Sequence, residues 1–208
     1  MTNRKYVIII SLIVLNGFLI IKLNNYSKVI KDISTVLKNK KKELLELEQN
    51  IIEVGKSENI KLNENIKLID ANGNIILTKD IFKKNTLVFR YSESNCTDCI
   101  KAEFIAILKN NALIANDICL IVHYRNPRDL HVFSKVLQNR GLKNFKMYLL
   151  PDKGLNTPAD KLNMPYYFCI DSTLRTSNFF IPHKDKSQLS ESYLINVSKN
   201  FLSNNTVR

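Results

Sequence analysis

Two apolar segments of strand length, separated by a stretch with helical periodicity, restrict the fold of this chain more than any other feature. The segments TLVFRYSE (86–93) and ICLIVHY (118–124) are typical of strands buried on both faces of a sheet. Between them, residues 97–109 place apolar side chains at helical spacing. Strands that alternate with helices predict an α/β domain whose sheet is mostly parallel and covered by helices.

Weaker patterns complete the predicted domain on either side of these strands. Before them, an Asn-Gly turn joins two short strand patterns, which is typical of a hairpin. After them come a helix pattern, a short strand, a second hairpin pattern and an amphipathic helix. The predicted strands are residues 65–70, 75–78, 86–93, 118–124, 145–150, 166–171 and 177–182, and the predicted helices are residues 97–109, 126–141 and 187–202.

The chemistry of the chain is predicted at Cys96 and Cys99, two of its four cysteines. This C-x-x-C pair stands where the central strand passes into a helix, an edge at which open α/β sheets place their sites. Cys96 would face the unpaired N–H groups and the positive end of the helix dipole, and both favour a thiolate. The pair fits a redox-active dithiol, with half of a zinc site and core packing as alternatives.

Residues 68–99, LIDANGNIILTKDIFKKNTLVFRYSESNCTDC, resemble the membrane-anchored thioredoxin-like thiol–disulfide oxidoreductases of bacteria. The segment NMPYYFCID (163–171) is similar to the second signature of that family, a proline that opens a strand ending in Ile-Asp. The resemblance implies a three-layer thioredoxin-like fold with an N-terminal hairpin extension. It also implies a function without any cofactor other than the dithiol.

The same resemblance implies a role for four residues. Cys96 would be the attacking thiol and Cys99 the resolving thiol of the catalytic pair. Pro165 would be a cis-proline packed against the disulfide, and Met164 would meet the substrate through its backbone.

Several residues near the dithiol depart from the family pattern. Asn95 stands where the family has tryptophan, and Thr97 and Asp98 stand where it often has proline between the cysteines. The Asp98 carboxylate disfavours a neighbouring thiolate. Arg90 occupies the position, six residues before the first cysteine, at which thioredoxin keeps a buried acid. The redox potential of the pair and its proton acceptor are therefore left open.

The other two cysteines, Cys119 and Cys169, fall in the strands predicted to flank the central one. Buried free cysteines are common, so we interpret both as core residues. They do not form a second C-x-x-C, which argues against a four-cysteine zinc site. The three histidines of the chain make no metal-ligand spacing with one another, and no metal site is predicted.

The N-terminal part of the chain predicts a membrane anchor. Its apolar run YVIIISLIVLNGFLII follows a short basic start. We predict a cytoplasmic tail at residues 1–5, a transmembrane signal anchor at 6–23, a helical stalk at 24–58 and the thioredoxin-like domain at 59–208. A cleaved signal peptide has the same start, but no small-x-small cleavage site follows. Heptad-spaced apolar residues in the stalk leave a homodimer open.

Composition narrows the range of partners. The net charge of +12 is scattered and not interleaved with aromatic residues, so nucleic acid is not an expected partner, whereas an anionic membrane surface would attract it. We expect a single-pass protein of the cell (inner) membrane whose extracytoplasmic, periplasmic domain exchanges disulfides with protein thiols and with a membrane or periplasmic redox partner. The alternatives are a non-enzymatic binding or scaffold protein on the same fold and a metallochaperone.

Overall fold

The structure, a computed structural model, describes residues 2–152, 154–183 and 186–205, and the side chains of residues 2–11, 13, 14, 204 and 205 lie outside this description. The chain divides into two units, Met1–Gln49 and Asn50–Arg208. The second unit thus starts at Asn50, whereas the predicted domain starts at residue 59.

Helix α1 spans Thr2–Ser57, and its residues 50–57 belong to the second unit. Residues 24–57 of the stalk predicted at 24–58 are helical within α1. Eight of the eighteen side chains of the anchor predicted at residues 6–23, those of residues 6–11, 13 and 14, lie outside the description. Among the side chains that are described, no helix has a stretch both long enough and apolar enough to cross a membrane.

The end of α1 is bonded to the rest of the second unit. The Ser57 hydroxyl oxygen accepts a hydrogen bond from the Ala159 N–H at 2.9 Å, and the Ser57 carbonyl accepts one from the Thr176 hydroxyl at 2.8 Å. The Glu58 carboxylate, one residue further on, accepts a hydrogen bond from the Asn178 N–H at 3.0 Å. These bonds join segments that are far apart in sequence, so residues 57 and 58 take part in the tertiary structure.

The strands and helices predicted for residues 65–202 are all present, and their ends differ from the predicted ends by two residues or fewer, the usual uncertainty of such boundaries. The strands are β1 Lys67–Ile69, β2 Ile75–Leu77, β3 Thr86–Ser92, β4 Ile118–His123, β5 Lys146–Leu149, β6 Tyr166–Ile170 and β7 Thr176–Phe180. The helices after α1 are α2 Thr78–Ile81, α3 Thr97–Lys109, α4 Asn111–Ile114, α5 Arg128–Asn139 and α6 Ser187–Asn200, with 3-10 turns at Pro158–Leu162 and Leu202–Asn205.

These strands form one mixed sheet in the order β2-β1-β5-β4-β3-β6-β7. Strands β3, β4 and β5 are parallel, and antiparallel hairpins β1–β2 and β6–β7 complete its two edges. Strand β3 lies between β4 and β6, and each of its seven residues is buried. This explains why Leu87, Val88 and Phe89 are consecutive apolar residues, since a strand with layers on both faces exposes neither.

Alternate residues of β3 belong to two separate hydrophobic clusters. Leu87, Phe89 and Tyr91 pack with residues of α3, α5 and α6, whereas Val88 packs with residues of α2 and the turn at 158–162. Successive side chains of a strand point to opposite faces, so the two clusters mark the two faces of the sheet. The result is a sheet between two covering layers, which is consistent with the predicted thioredoxin-like fold.

Candidate active site

The dithiol lies at the start of α3, the helix that follows β3. Cys96 is the N-cap of α3, and its carbonyl accepts the helical hydrogen bond from the Ile100 N–H at 3.0 Å. Its Sγ accepts a hydrogen bond from the Cys99 N–H at 3.3 Å. Serine, threonine, aspartate or asparagine normally supplies the side-chain acceptor at this position. Here a sulfur takes that role, so the helix start stabilises negative charge on Cys96.

The pKa of the Cys96 thiol is lowered, chiefly by the hydrogen bond from the Cys99 side chain and then by the Cys99 backbone N–H. The negative charge of Asp98 opposes this shift, as the sequence predicted. Cys96 is exposed and Cys99 is half-buried. A thiol with a lowered pKa that is accessible from solvent has the properties of a nucleophile, and its half-buried neighbour is less accessible to competing reagents.

Cys119 and Cys169 lie in β4 and β6, the two neighbours of β3, and both are 0% exposed. In the sheet register Cys119 is opposite Val88 and Cys169 is opposite Leu87, which belong to different clusters. The two thiols therefore lie on opposite faces, with one strand between them. Neighbouring strands are about 4.8 Å apart, so a disulfide between these residues is excluded. Burial raises the pKa of each thiol to about 12.

The predicted substrate loop precedes β6. Pro165 is buried, and Met164 is 38% exposed with its sulfur 4.0 Å from the Asn50 side-chain nitrogen in the last turns of α1. The prediction of a cis-proline is wrong, because no peptide bond in the described residues is cis. The change of chain direction before β6 occurs instead at Asn163, whose φ of 49° and ψ of 37° are left-handed. Asparagine tolerates that conformation better than most residues do.

One side chain joins the two halves of this site. Asn95, immediately before the first cysteine, accepts a hydrogen bond from the Ser92 N–H at 2.7 Å through its Oδ1. Its Nδ2 donates to the Asn163 carbonyl at 2.8 Å. The structure thereby brings the dithiol segment and the Met164–Pro165 loop together. In the sequence, Asn95 stood out only as a departure from the family pattern. No local pattern predicted its hydrogen bond to a residue 68 positions away.

Arg90 also departs from the family pattern. It belongs to a buried polar cluster on the face of β3 that is opposite to α3. It is 4% exposed, donates to the Tyr91 carbonyl, and lies across from Tyr166 in the β3–β6 register. The Tyr166 hydroxyl donates to Asp160 at 2.9 Å, and the Thr157 N–H donates to the same carboxylate at 3.0 Å. Burial lowers the pKa of Arg90, and the charges of Tyr166 and Asp160 oppose that shift. This cluster was not predicted from the sequence.

Among the described residues, no group of three or more histidine, cysteine, aspartate or glutamate side chains is placed to hold a metal ion.

No protein-family model matches the chain, and neither does any curated protein sequence. Solved structures do show a likeness. A thiol:disulfide interchange protein from Bacteroides sp. is 19% identical, with 66% of this chain and 90% of that chain covered and a TM-score of 0.43. Peroxidoxin BcpB from Mycobacterium tuberculosis is 14% identical, with 68% and 97% covered and a TM-score of 0.47. Copper-bound ScoI from Arabidopsis thaliana is 12% identical, with 67% and 97% covered and a TM-score of 0.47.

All three TM-scores are below 0.5 and all three identities below 20%, so no activity follows from these likenesses. The fold is visible in the topology itself. A central strand is followed by a helix that starts at the dithiol, a parallel neighbour comes next, and an antiparallel hairpin lies on the other side. This arrangement gives the second unit a thioredoxin-like fold.

Proposed function

We propose that this chain is a thiol–disulfide oxidoreductase that exchanges disulfides with protein substrates through Cys96 and Cys99. The observation that carries the proposal is the state of Cys96. Its sulfur caps α3, is exposed, and has a lowered pKa because Cys99 donates hydrogen bonds to it. A structural thiol would be buried with a raised pKa, as Cys119 is.

The proposed reaction is a pair of exchange steps. The Cys96 thiolate attacks one sulfur of a substrate disulfide, which forms a mixed disulfide and releases the other substrate sulfur as a thiolate. Cys99 then loses its proton and attacks the Cys96 sulfur, which releases the second substrate thiolate and leaves a Cys96–Cys99 disulfide. Two electrons pass to the substrate, and a thiol partner must return them. The reverse sequence oxidises a substrate dithiol.

The place of this reaction is proposed from the N-terminal sequence. The apolar run at residues 6–21 supports a membrane anchor, and the short segment before it, of a kind that usually stays in the cytoplasm, supports a domain on the extracytoplasmic side. In an oxidising compartment the dithiol would need a redox partner that resets it after each turnover.

The test is to trap the mixed disulfide. Cys99→Ser keeps the attacking thiol but cannot resolve the intermediate, so disulfide-linked partners should accumulate on non-reducing gels and disappear on reduction. Cys96→Ser is the matched control, since it keeps one thiol of the pair but removes the nucleophile. Equal capture by the two variants, or none by either, would contradict the proposal.

A binding or scaffold role for the same fold is the second candidate, favoured by the unusual neighbours Asn95 and Asp98. In that case the dithiol would be a permanent structural bridge. Its reduction potential decides between the two, because structural disulfides have potentials below about −300 mV and exchanging ones lie higher.

A further inference from the structure

Asn95 forms two hydrogen bonds that reach in opposite directions. Its side chain is 8% exposed, with Oδ1 2.7 Å from the Ser92 nitrogen and Nδ2 2.8 Å from the Asn163 carbonyl oxygen. We call this side chain and its two backbone partners the Asn95 bridge. The first bond closes the turn that leads from β3 to Cys96, and the second reaches the residue before Met164.

The bridge fixes the Met164–Pro165 loop from one end, and the sheet fixes it from the other. Tyr166, which directly follows Pro165, is paired with Arg90 in the β3–β6 register. Only Met164 and Pro165 lie between these two attachments to the β3 segment. Their backbone therefore has little freedom to move relative to Cys96, which is the neighbour of Asn95.

The chemistry of the bridge suits asparagine better than its closest substitutes. It needs one acceptor for the Ser92 N–H and one donor for the Asn163 carbonyl on a short side chain. Aspartate supplies the acceptor but no donor, and serine supplies an acceptor on a side chain too short to reach the second loop. Both substitutes also form turns of the kind that the first bond closes.

We infer that Asn95 is a positioning residue for the exchange reaction: it holds the Met164 backbone, to which the family resemblance assigns the contact with substrate, against the segment that carries Cys96. The inference rests on the proposed function. Reactions of positioned groups lose about 10²-fold in rate when a reacting group is displaced by about 1 Å. A small reagent that makes no use of the Met164 backbone would not need the bridge.

The experiment compares two substitutions of Asn95 with a matched asparagine elsewhere in the full-length protein. Asn95→Asp keeps the shape of the side chain and the turn but removes the donor to the Asn163 carbonyl. Asn95→Ser removes the same bond without adding charge, because its side chain is too short to reach Asn163. The control is Asn85→Asp at the other end of β3, where the Asn85 Nδ2 donates to the Phe201 carbonyl at 3.0 Å. Each protein is treated with an oxidised disulfide peptide and, in a separate reaction, with iodoacetamide, both at a pH above the pKa of Cys96. Hydrogen–deuterium exchange is then followed in residues 154–165.

Both Asn95 variants should exchange with the peptide about 10- to 100-fold more slowly, with the iodoacetamide rate within about threefold of wild type. Residues 154–165 should exchange hydrogen faster in both, and Asn85→Asp should match wild type in every measurement. The inference is overturned if the loop exchanges hydrogen at the wild-type rate in both Asn95 variants, or if both reagents slow equally. A wild-type protein that reacts with iodoacetamide but with no disulfide would refute the proposed function, and the hydrogen exchange would still decide whether the bridge holds the loop.

Discussion

The four cysteines of this chain form two pairs with opposite properties. Cys96 and Cys99 lie at the start of α3, outside the sheet, and Cys96 is exposed with a lowered pKa. Cys119 and Cys169 lie inside the sheet, fully buried, and their pKa values are raised to about 12. The side chain is the same, so the difference comes from its surroundings alone.

The comparison shows which surroundings matter for a thiol. At a helix start, backbone N–H groups without helical partners point at the sulfur and stabilise its anion. Within a strand, the backbone groups are already bonded to neighbouring strands, and burial removes the side chain from water. A thiolate there would lose its hydration without compensation. A thiol one residue before a helix is therefore more reactive than a thiol buried within a strand.

The largest predicted effect concerns activity. Cys96→Ser should lower the rate of exchange with a disulfide peptide on the order of 10³-fold or more, because a hydroxyl cannot replace the thiolate. Cys119→Ser should leave the rate unchanged in protein that is folded. Stopped-flow measurement of peptide reduction checks both. Comparable losses in the two variants would remove the functional distinction between the pairs.

The next effect concerns labelling of the native protein. Iodoacetamide should modify Cys96 first, and Cys119 and Cys169 at least about 10³-fold more slowly, since they become accessible only when the domain opens. Mass spectrometry of peptides from timed reactions gives the rates. In concentrated urea the order should disappear. Labelling of Cys119 in native protein at the Cys96 rate would show that the sheet does not protect it.

A smaller effect should separate the two buried cysteines from each other. Cys119→Ser places a hydroxyl in the apolar cluster on its face of the sheet, and we expect a loss of about 1–3 kcal/mol in the free energy of unfolding. Cys169→Ser should cost less, because the Tyr193 and Asn178 side chains are within hydrogen-bonding reach of that position. Urea denaturation of both variants measures the difference. A larger loss for Cys169→Ser would contradict the assigned surroundings.

The smallest effect refines the reactive pair. The carboxylate of Asp98 raises the pKa of Cys96, against the larger lowering by the Cys99 hydrogen bonds. Asp98→Asn should therefore move the pH midpoint of Cys96 alkylation downward, so that more thiolate is present at neutral pH. The rate at pH 7 should rise by less than about threefold, because the Asp98 side chain is exposed and its charge is screened. Lys101→Met, which removes the 3.4 Å ion-pair partner of Asp98, should move the midpoint the other way.

The sequence predicted the parts of the molecule that local patterns determine. The ends of α3 agree with the prediction, and Cys96 and Cys99 lie at the helix start where the strand-to-helix pattern placed them. Cys119 and Cys169 lie in the two strands beside β3, as predicted. Periodicity and spacing were sufficient for the ends of helices and strands because these depend on residues close together in the chain. The strands beside β3 were predicted from the alternation of strands and helices and from the family resemblance.

What could not be predicted depends on contacts between distant segments. The trans peptide bond at Pro165 goes with the left-handed turn at Asn163, which carries no strong signal in the sequence. The bond between Asn95 and Asn163, and the cluster around Arg90 and Asp160, form only once β3 and β6 are paired. Polar pairs of this kind have no period, so a single sequence gives no sign of them.

The bonds of Ser57 and Glu58 have a consequence for any proteolytic release of the domain. Cleavage after residue 58 would leave the buried Ala159 N–H group without its Ser57 partner, at a cost of about 1–3 kcal/mol, and would remove the Glu58 acceptor of the exposed Asn178 N–H group. Cleavage before Asn50 would keep these contacts. A shed form of the protein that remains folded is therefore expected to begin at or before Asn50 and to carry the last two turns of α1 with it.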